Sequence, residues 1–439
     1  PNSSGGGSIT VTGNINAAGS VDITASDTGY FGNSPGGNIS LKGVVGKSIK
    51  VQTTAKIGAN INAISFHATG PSTSSNSGDV TVSADASSGG LGGNITLTGG
   101  MIADHGNIDV TAKGGSLGGA ITVSGAIQAG GSFSAHQSGS YHGMTLGNVT
   151  AGNAVYIYDS GTITGTNTLK VGNITAGSYV DVNVYQYVGN AKITLGNVTA
   201  GSGEAYVDGY AEAGTLNLTV GNVSGGNQVY IFGGGSSNKN ATITTGTLTA
   251  NNTGGPAEVR VTADGKTNTI TTGAITAIGK LSSHAGSGET GFSASAATVN
   301  LGGSGSGNTA IKVNGGITIT ATGAHYHYSH ASSFNTSDVS GSVGLARLDI
   351  GVSSYGGPAT INITGAINVT GMGGAEVELD ATKITLGGAV NITATPGKVK
   401  ETGSFTSYGG PLAITYSGSA GKAGSANLFI NDASGATLA

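Results

Sequence analysis

Four stretches read almost alike: LGNVTAGNAVYI (146–157), VGNITAGSYVDV (171–182), LGNVTAGSGEAYV (195–207) and VGNVSGGNQVYI (220–231). Aligned on Asn148, Asn173, Asn197 and Asn222, they recur at a near-constant interval. TGTLTA and TGAITA continue the series, with Gly246 and Gly273 standing where Gly147, Gly172, Gly196 and Gly221 stand. A period of about 25 residues, built of short apolar runs between glycine turns, is the sequence signature of a solenoid. The apolar residues alternate, as in Val180-Asp181-Val182-Asn183-Val184, which is a strand period and not a helical one. Each repeat therefore holds two or three short strands. One such coil cannot bury its own apolar face, but stacked coils bury a continuous core. The reading is an all-β fold, a parallel β-helix of right-handed sense.

The Gly-Asn pairs fit as scaffold. Glycine tolerates positive φ at a sharp turn, asparagine tolerates the left-handed region, and asparagines at one place in every coil are expected to hydrogen-bond into a ladder. The same grammar appears in GSITVTGNINAAGSVDITA (7–25), GGNITLTGGMIADHGNIDVTA (92–112) and KITLGGAVNITA (383–394). At the strand spacing of about 4.8 Å, roughly 17–20 coils would make a rod of roughly 80–100 Å. One continuous elongated domain is expected, with irregular coils over 1–145, regular coils over 146–280, and coils with longer insertions over 281–439. SYGGPATI (354–361) and SYGGPLAI (407–414) are spaced as if two coils apart. The stretches 26–37, 68–78, 282–291 and 323–344 break the period and are expected to loop outward.

Composition narrows the function. Glycine supplies 83 of 439 residues without a third-residue period, which excludes collagen, and 37% hydrophobic residues exclude a disordered linker. A net charge of −4 with no basic stripe argues against nucleic acid as a partner. No apolar run is long enough to span a bilayer. With no cysteine, neither disulfides nor a thiolate metal site can form. The start at Pro1 reads as a processed product or a segment of a longer chain.

The pattern seen in GNITLTGGMIADHGNIDVTA and GSITVTGNINAAGSVDITA resembles the repeats of filamentous haemagglutinin-like exoproteins, the adhesins of two-partner secretion, and related autotransporter passengers. The resemblance implies an extracellular, rod-like protein that attaches cells to surfaces or to one another, with no catalytic residues. The family's Asn-Pro-Asn-type secretion signature is not found in this sequence.

Among candidate sites the aromatic cluster stands out. Tyr156, Tyr158, Tyr179, Tyr185, Tyr187, Tyr206, Tyr210 and Tyr230, followed by Phe232, alternate with aliphatic residues. Alternation sends them outward onto one face, with Asp159, Asp181 and Asp208 among them, a surface suited to stacking sugars or to lateral contact with another copy. The plainer reading is that tyrosine pairs simply suit a pleated surface. HYHYSH places His325 and His327 at a metal-chelating spacing, although a solvated loop including His330 explains it as well. Sequons recur because Gly-Asn-Ile/Val-Thr is the turn unit, and Asn251 and Asn335 are the best placed for a glycan.

An enzyme of the polysaccharide lyase or hydrolase type would need carboxylates clustered on adjacent coils, often with Arg or Lys. The chain has only two arginines, Arg260 and Arg347, and no Asp-Asp pair. Ice binding would need Thr-x-Thr in register on consecutive coils, which the sequence does not sustain. The expectation is a secreted structural or adhesive surface protein, a stalk or filament subunit. It needs no cofactor, and its partners are a glycan, a host or cell surface, or further copies joined end to end or side by side. The enzyme is the alternative, and ice binding the remoter one.

Overall fold

The computed structural model describes residues 8–26, 37–55, 60–71, 78–86, 93–114, 119–139, 143–162, 164–235, 239–281, 295–304, 307–323, 326–328, 345–352, 359–372, 374–395, 399–407, 410–416, 426–432 and 437–438. Among them there is no helix. The fold is a parallel β-solenoid whose coils lay their strands in three parallel sheets of 15, 14 and 14 strands. One coil runs Thr166–Val171, Ile174–Ala176 and Tyr179–Gln186; the next runs Asn190–Leu195, Val198–Ala200 and Glu204–Ala211. Each strand pairs with its equivalent in the neighbouring coil, as in Val149↔Ile174 and Ile174↔Val198.

The strand counts put the number of coils below the 17–20 expected. The regular period does not hold throughout. Ile193 pairs with Leu218 in the regular coils, whereas the next pairs in the second unit, Ile270 with Ile311 and Ile311 with Ile361, span much longer stretches of chain. The coils are thus of unequal length, while Ile270, Ile311 and Ile361 keep one column.

The chain forms two compact units, one of residues 1–223, 232–244 and 264–266, the other of 224–231, 245–263 and 267–439. In the first, one inward column of the first sheet reads Ile39, Ile61, Ile95, Ile121, Met144, Leu169, Ile193 and Leu218, paired in sequence and all buried. Each such side chain contributes about 1.5–3 kcal/mol by leaving water. In the second unit the corresponding column is Ile270, Ile311, Ile361 and Ile384. Parallel sheets are usually buried on both faces and lose their alternation; here the outer face stays outside, which is why a period of two was readable at all.

The second unit also departs from the repeat. Val399–Ser407 and Gly410–Tyr416 form an antiparallel pair, and Tyr326–Tyr328 joins it as a third strand. The two SYGGP phrases therefore do not mark equivalent coils. The first leads into Ala359–Ile363 of the solenoid and the second into this small sheet. His327 lies in the strand Tyr326–Tyr328, so the 323–344 stretch is not loop throughout. His325, His330 and Asn335 lie outside the described residues, as do 27–36, 72–77, 282–294 and 329–344.

The Gly-Asn turn is built on a different principle from the one expected. Asn148 Oδ1 accepts the backbone N–H of Asn173, Asn173 Oδ1 that of Asn197, and Asn197 Oδ1 that of Asn222, each at 2.9 Å. The ladder thus runs from side chain to main chain. Gly147, Gly172, Gly196 and Gly221 do not have positive φ. Glycine is needed for room instead: a Cβ on Gly172 would collide with Asn148 Oδ1, and one on Gly196 would lie 2.5 Å from Asn173 Oδ1. A second ladder joins Asn38, Asn60 and Asn94 at another corner.

Candidate functional site: the tyrosine face of the third sheet

The third sheet has the longest strands, up to eight residues in the regular coils, and hence the broadest outer face. Val155, Ile157, Val180, Val182, Val184 and Val207 are buried, and the residues between them face out. Register then stacks the outward residues in columns. Tyr156 pairs with Asp181 and Asp181 with Tyr206; Tyr158 pairs with Asn183 and Asn183 with Asp208; Ser160 pairs with Tyr185 and Tyr185 with Tyr210.

Two ring clusters result. In one, Tyr156 and Tyr158 are nearly parallel (13°) with centroids 6.5 Å apart, and Tyr179 stands 6.0 Å from Tyr156 at 43°. Tyr158 Oη donates to Asp181 Oδ2 at 2.7 Å, and Asn183 Nδ2 donates to Asp181 Oδ1. In the other, Tyr185 lies 5.0 Å from Tyr210, stacked at 21°, and 4.4 Å from Tyr187; its hydroxyl donates to Glu212 at 3.2 Å. Tyr206 Oη donates to Asp208 Oδ2 at 3.2 Å. The rings of Phe232 and Tyr210 converge over Gly234, where a Cβ would lie 2.6 Å from each. Tyr187 and Val188 are among the most exposed large apolar side chains, at 47% and 46%. In the second unit Tyr230 receives the guanidinium of Arg260, 5.5 Å from the ring centroid.

The electrostatics follow from this crowding. Burial first, then the Asp181 hydrogen bond and charge, hold the Tyr158 hydroxyl far above its ordinary range, and burial with Asp181 and Glu204 pushes Tyr179 up to about 12. Burial raises Asp181, with the Tyr158 bond opposing. Burial also raises Asp208, helped by the charge of Asp181 and opposed by the Tyr206 bond.

Asp159 does not belong to this face. It is 2% exposed and points inward, because it continues the phase of Val155 and Ile157. It meets a polar corner in an otherwise apolar interior: Gln137 is its in-register partner, and Asn167 Nδ2 donates to Asp159 Oδ1 at 3.1 Å. Gln137 Oε1, Asp159 Oδ2 and Asn167 Oδ1 are buried and accept no hydrogen bond. Desolvation, opposed by the Asn167 bond, raises the Asp159 carboxyl to about 7. Counting parity from Val155 would have placed it correctly.

A cluster that sequence reasoning missed lies on the outer face in the second unit. Arg347 Nη2 is 3.0 Å from Glu378 and 3.6 Å from Asp349, and its Nε is 3.7 Å from Glu376. Register pairs Arg347 with Glu376 and Asp349 with Glu378 on neighbouring coils. Asp349 is raised by burial, against Arg347, with Glu378, Glu376 and Asp380 adding to the rise. Acidic residues beside an arginine do therefore meet on adjacent coils. The alternating LARLDIGV and AEVELDA strands were the signal, but coils of unequal length hid their register.

Among the described residues no group of three or more His, Cys, Asp or Glu side chains is arranged to hold a metal ion. Asn251 is exposed in the strand Leu248–Asn252, while the ladder asparagines have their side-chain oxygens engaged. The second sheet carries files of threonines in register, Thr150, Thr175 and Thr199 in the first unit, and Thr249, Thr276 and Thr318 in the second. No helix among the described residues is long and apolar enough to cross a membrane. The chain matches no protein-family model, no curated protein and no solved structure.

Proposed function

We propose that this chain is a structural or adhesive segment of an extracellular surface protein, and that the tyrosine face of its third sheet is the contact surface. The observation that carries the reading is the clustering of Tyr156, Tyr158 and Tyr179, and of Tyr185 with its register partner Tyr210, over a core that repeats coil after coil. Stacked aromatics on a rigid sheet offer large contact area at little conformational cost. The resemblance of the repeats to filamentous haemagglutinin-like exoproteins supports the same reading. The partner is a glycan-bearing or protein surface, or a second copy laid alongside. The test is retention of cells and of glycan- or protein-coated beads on immobilised protein. Loss of retention in Tyr156→Ala and Tyr185→Ala variants that keep their β circular dichroism supports the reading; undiminished retention sinks it.

A second reading, a polysaccharide-cleaving enzyme, is favoured by the Arg347, Asp349, Glu376 and Glu378 cluster. Release of new reducing or unsaturated ends from a polysaccharide panel, lost in Glu378→Gln, would establish it. A blank panel would remove it.

A further inference from the structure

The tyrosine face carries an imbalance of charge that packing does not require. The strands Ala154–Gly161, Tyr179–Gln186 and Glu204–Ala211 contain Asp181, Asp208 and Glu204 facing outward and no lysine, arginine or histidine. The nearest basic group in register is His136, the partner of Tyr158, and burial together with Lys113 lowers its affinity for a proton. Asp181 and Asp208 thus gather negative charge among π faces, with tyrosine hydroxyls and an asparagine amide as their hydrogen-bond partners.

The geometry beside Asp181 is specific. Tyr156 and Tyr158 are nearly parallel with centroids 6.5 Å apart, within the range of stacked aromatic pairs, and Tyr158 is 36% exposed. A cation laid against their exposed faces would stand within the roughly 6 Å over which an aromatic ring attracts it. Tyr179 adds a third ring and Asp181 a carboxylate fixed by Tyr158 and Asn183. The chain itself demonstrates the chemistry elsewhere, where Arg260 lies over Tyr230.

The geometry points to the Tyr156–Tyr158–Tyr179 cluster, with Asp181 beside it, as a docking site for the arginine and lysine side chains of a basic polypeptide segment. This rests on reading the tyrosine face as a contact surface, and it narrows the partner. Charge complementarity selects the occupant. A neutral sugar would only stack on the rings, whereas a guanidinium or ammonium would also meet the negative charge of Asp181, whose hydrogen-bond partners are neutral.

The test is fluorescence anisotropy of the whole chain with a labelled arginine- and lysine-rich dodecapeptide, beside a neutral peptide of equal length and a neutral oligosaccharide. Binding of the basic peptide alone is expected. It should fall at least tenfold in Tyr158→Ala and in Asp181→Asn, and persist in Tyr156→Phe and in Tyr187→Ala, which lies in the other cluster. Circular dichroism of each variant keeps a folding defect apart from lost binding. Basic-peptide binding that is equal in all variants overturns the assignment, because it would report diffuse charge. Tyrosine-dependent binding of the oligosaccharide instead overturns the cationic partner and leaves the contact surface standing. Binding of neither probe overturns the inference, and retention on coated beads then decides the broader reading separately.

Discussion

Replacing Asp159 by asparagine should stabilise the fold above neutral pH and change little near pH 4. In the folded chain its carboxyl is 2% exposed, one oxygen accepts from Asn167, and the other is buried without a donor. Its pKa rises from 3.8 to about 7. A rise of that size corresponds to at most about 4 kcal/mol. The sign follows from proton binding. Between pH 4 and 7 the folded state keeps a proton that the unfolded state has released, so stability falls as pH rises through this window. Above it the full cost of a buried, unanswered charge remains. Asparagine carries no charge, keeps an acceptor for Asn167, and puts an NH₂ group beside the in-register Gln137, whose oxygen lacks a donor.

The assay is urea unfolding of both proteins from pH 4.5 to 8.5, with native-state hydrogen exchange reporting on the strand Ala154–Gly161. Asp109, Asp181 and Asp208 are also raised by burial, but they are common to both proteins and cancel in the difference. That difference should be about 1 kcal/mol at pH 4.5 and grow to at most about 4 kcal/mol at pH 8.5 in favour of asparagine. A difference independent of pH, or an asparagine variant less stable at pH 8.5, would refute the reasoning.

Gly196→Ala should cost about 1–3 kcal/mol through overpacking, since its Cβ would press on Asn173 Oδ1; the check is a lowered urea midpoint together with faster exchange of the Asn197 amide. Arg347→Ala should destabilise by about 1 kcal/mol at pH 8, because Asp349, Glu376 and Glu378 then repel one another, and by less at pH 4, where Asp349, raised by burial, takes up a proton more readily; thermal melts at the two pH values test this. Tyr185→Ala removes a ring packed against Tyr210 and Tyr187 and should cost about 0.5–1.5 kcal/mol per aromatic pair beyond lost burial, read from a double-mutant cycle with Tyr210→Ala. Phe133→Ala, in the core at 0% exposure, should cost about 3–5 kcal/mol, measured by the same urea titration.

Much of the candidate face could be placed before any coordinates. Val180, Val182 and Val184 set a phase, and that phase turns Tyr179, Asp181 and Tyr185 outward. The same rule applied to Asp159 sends it inward, and the error there was one of counting. The Arg347 cluster was hidden for a different reason. Parity within a strand is local, but the partner of a residue depends on the length of the coil between. That length is more than twice as great between Ile311 and Ile361 as between Ile39 and Ile61.

By itself the sequence determined the class of fold, because a repeated Gly-Asn turn and a period of two leave few ways to bury alternate aliphatic residues other than stacking coil on coil. It determined that Gly172 and Gly196 are required, though not why. Only the tertiary structure decided that, since the space a Cβ would fill belongs to an asparagine oxygen from the coil before. It also decided which rings meet, which carboxylates share an arginine, and that SYGGPLAI leads into an antiparallel hairpin outside the solenoid. The physical reason is common to all of these. Side-chain direction is a property of one strand, whereas neighbourhood is a property of register between strands, which is fixed by core packing across coils of unequal length.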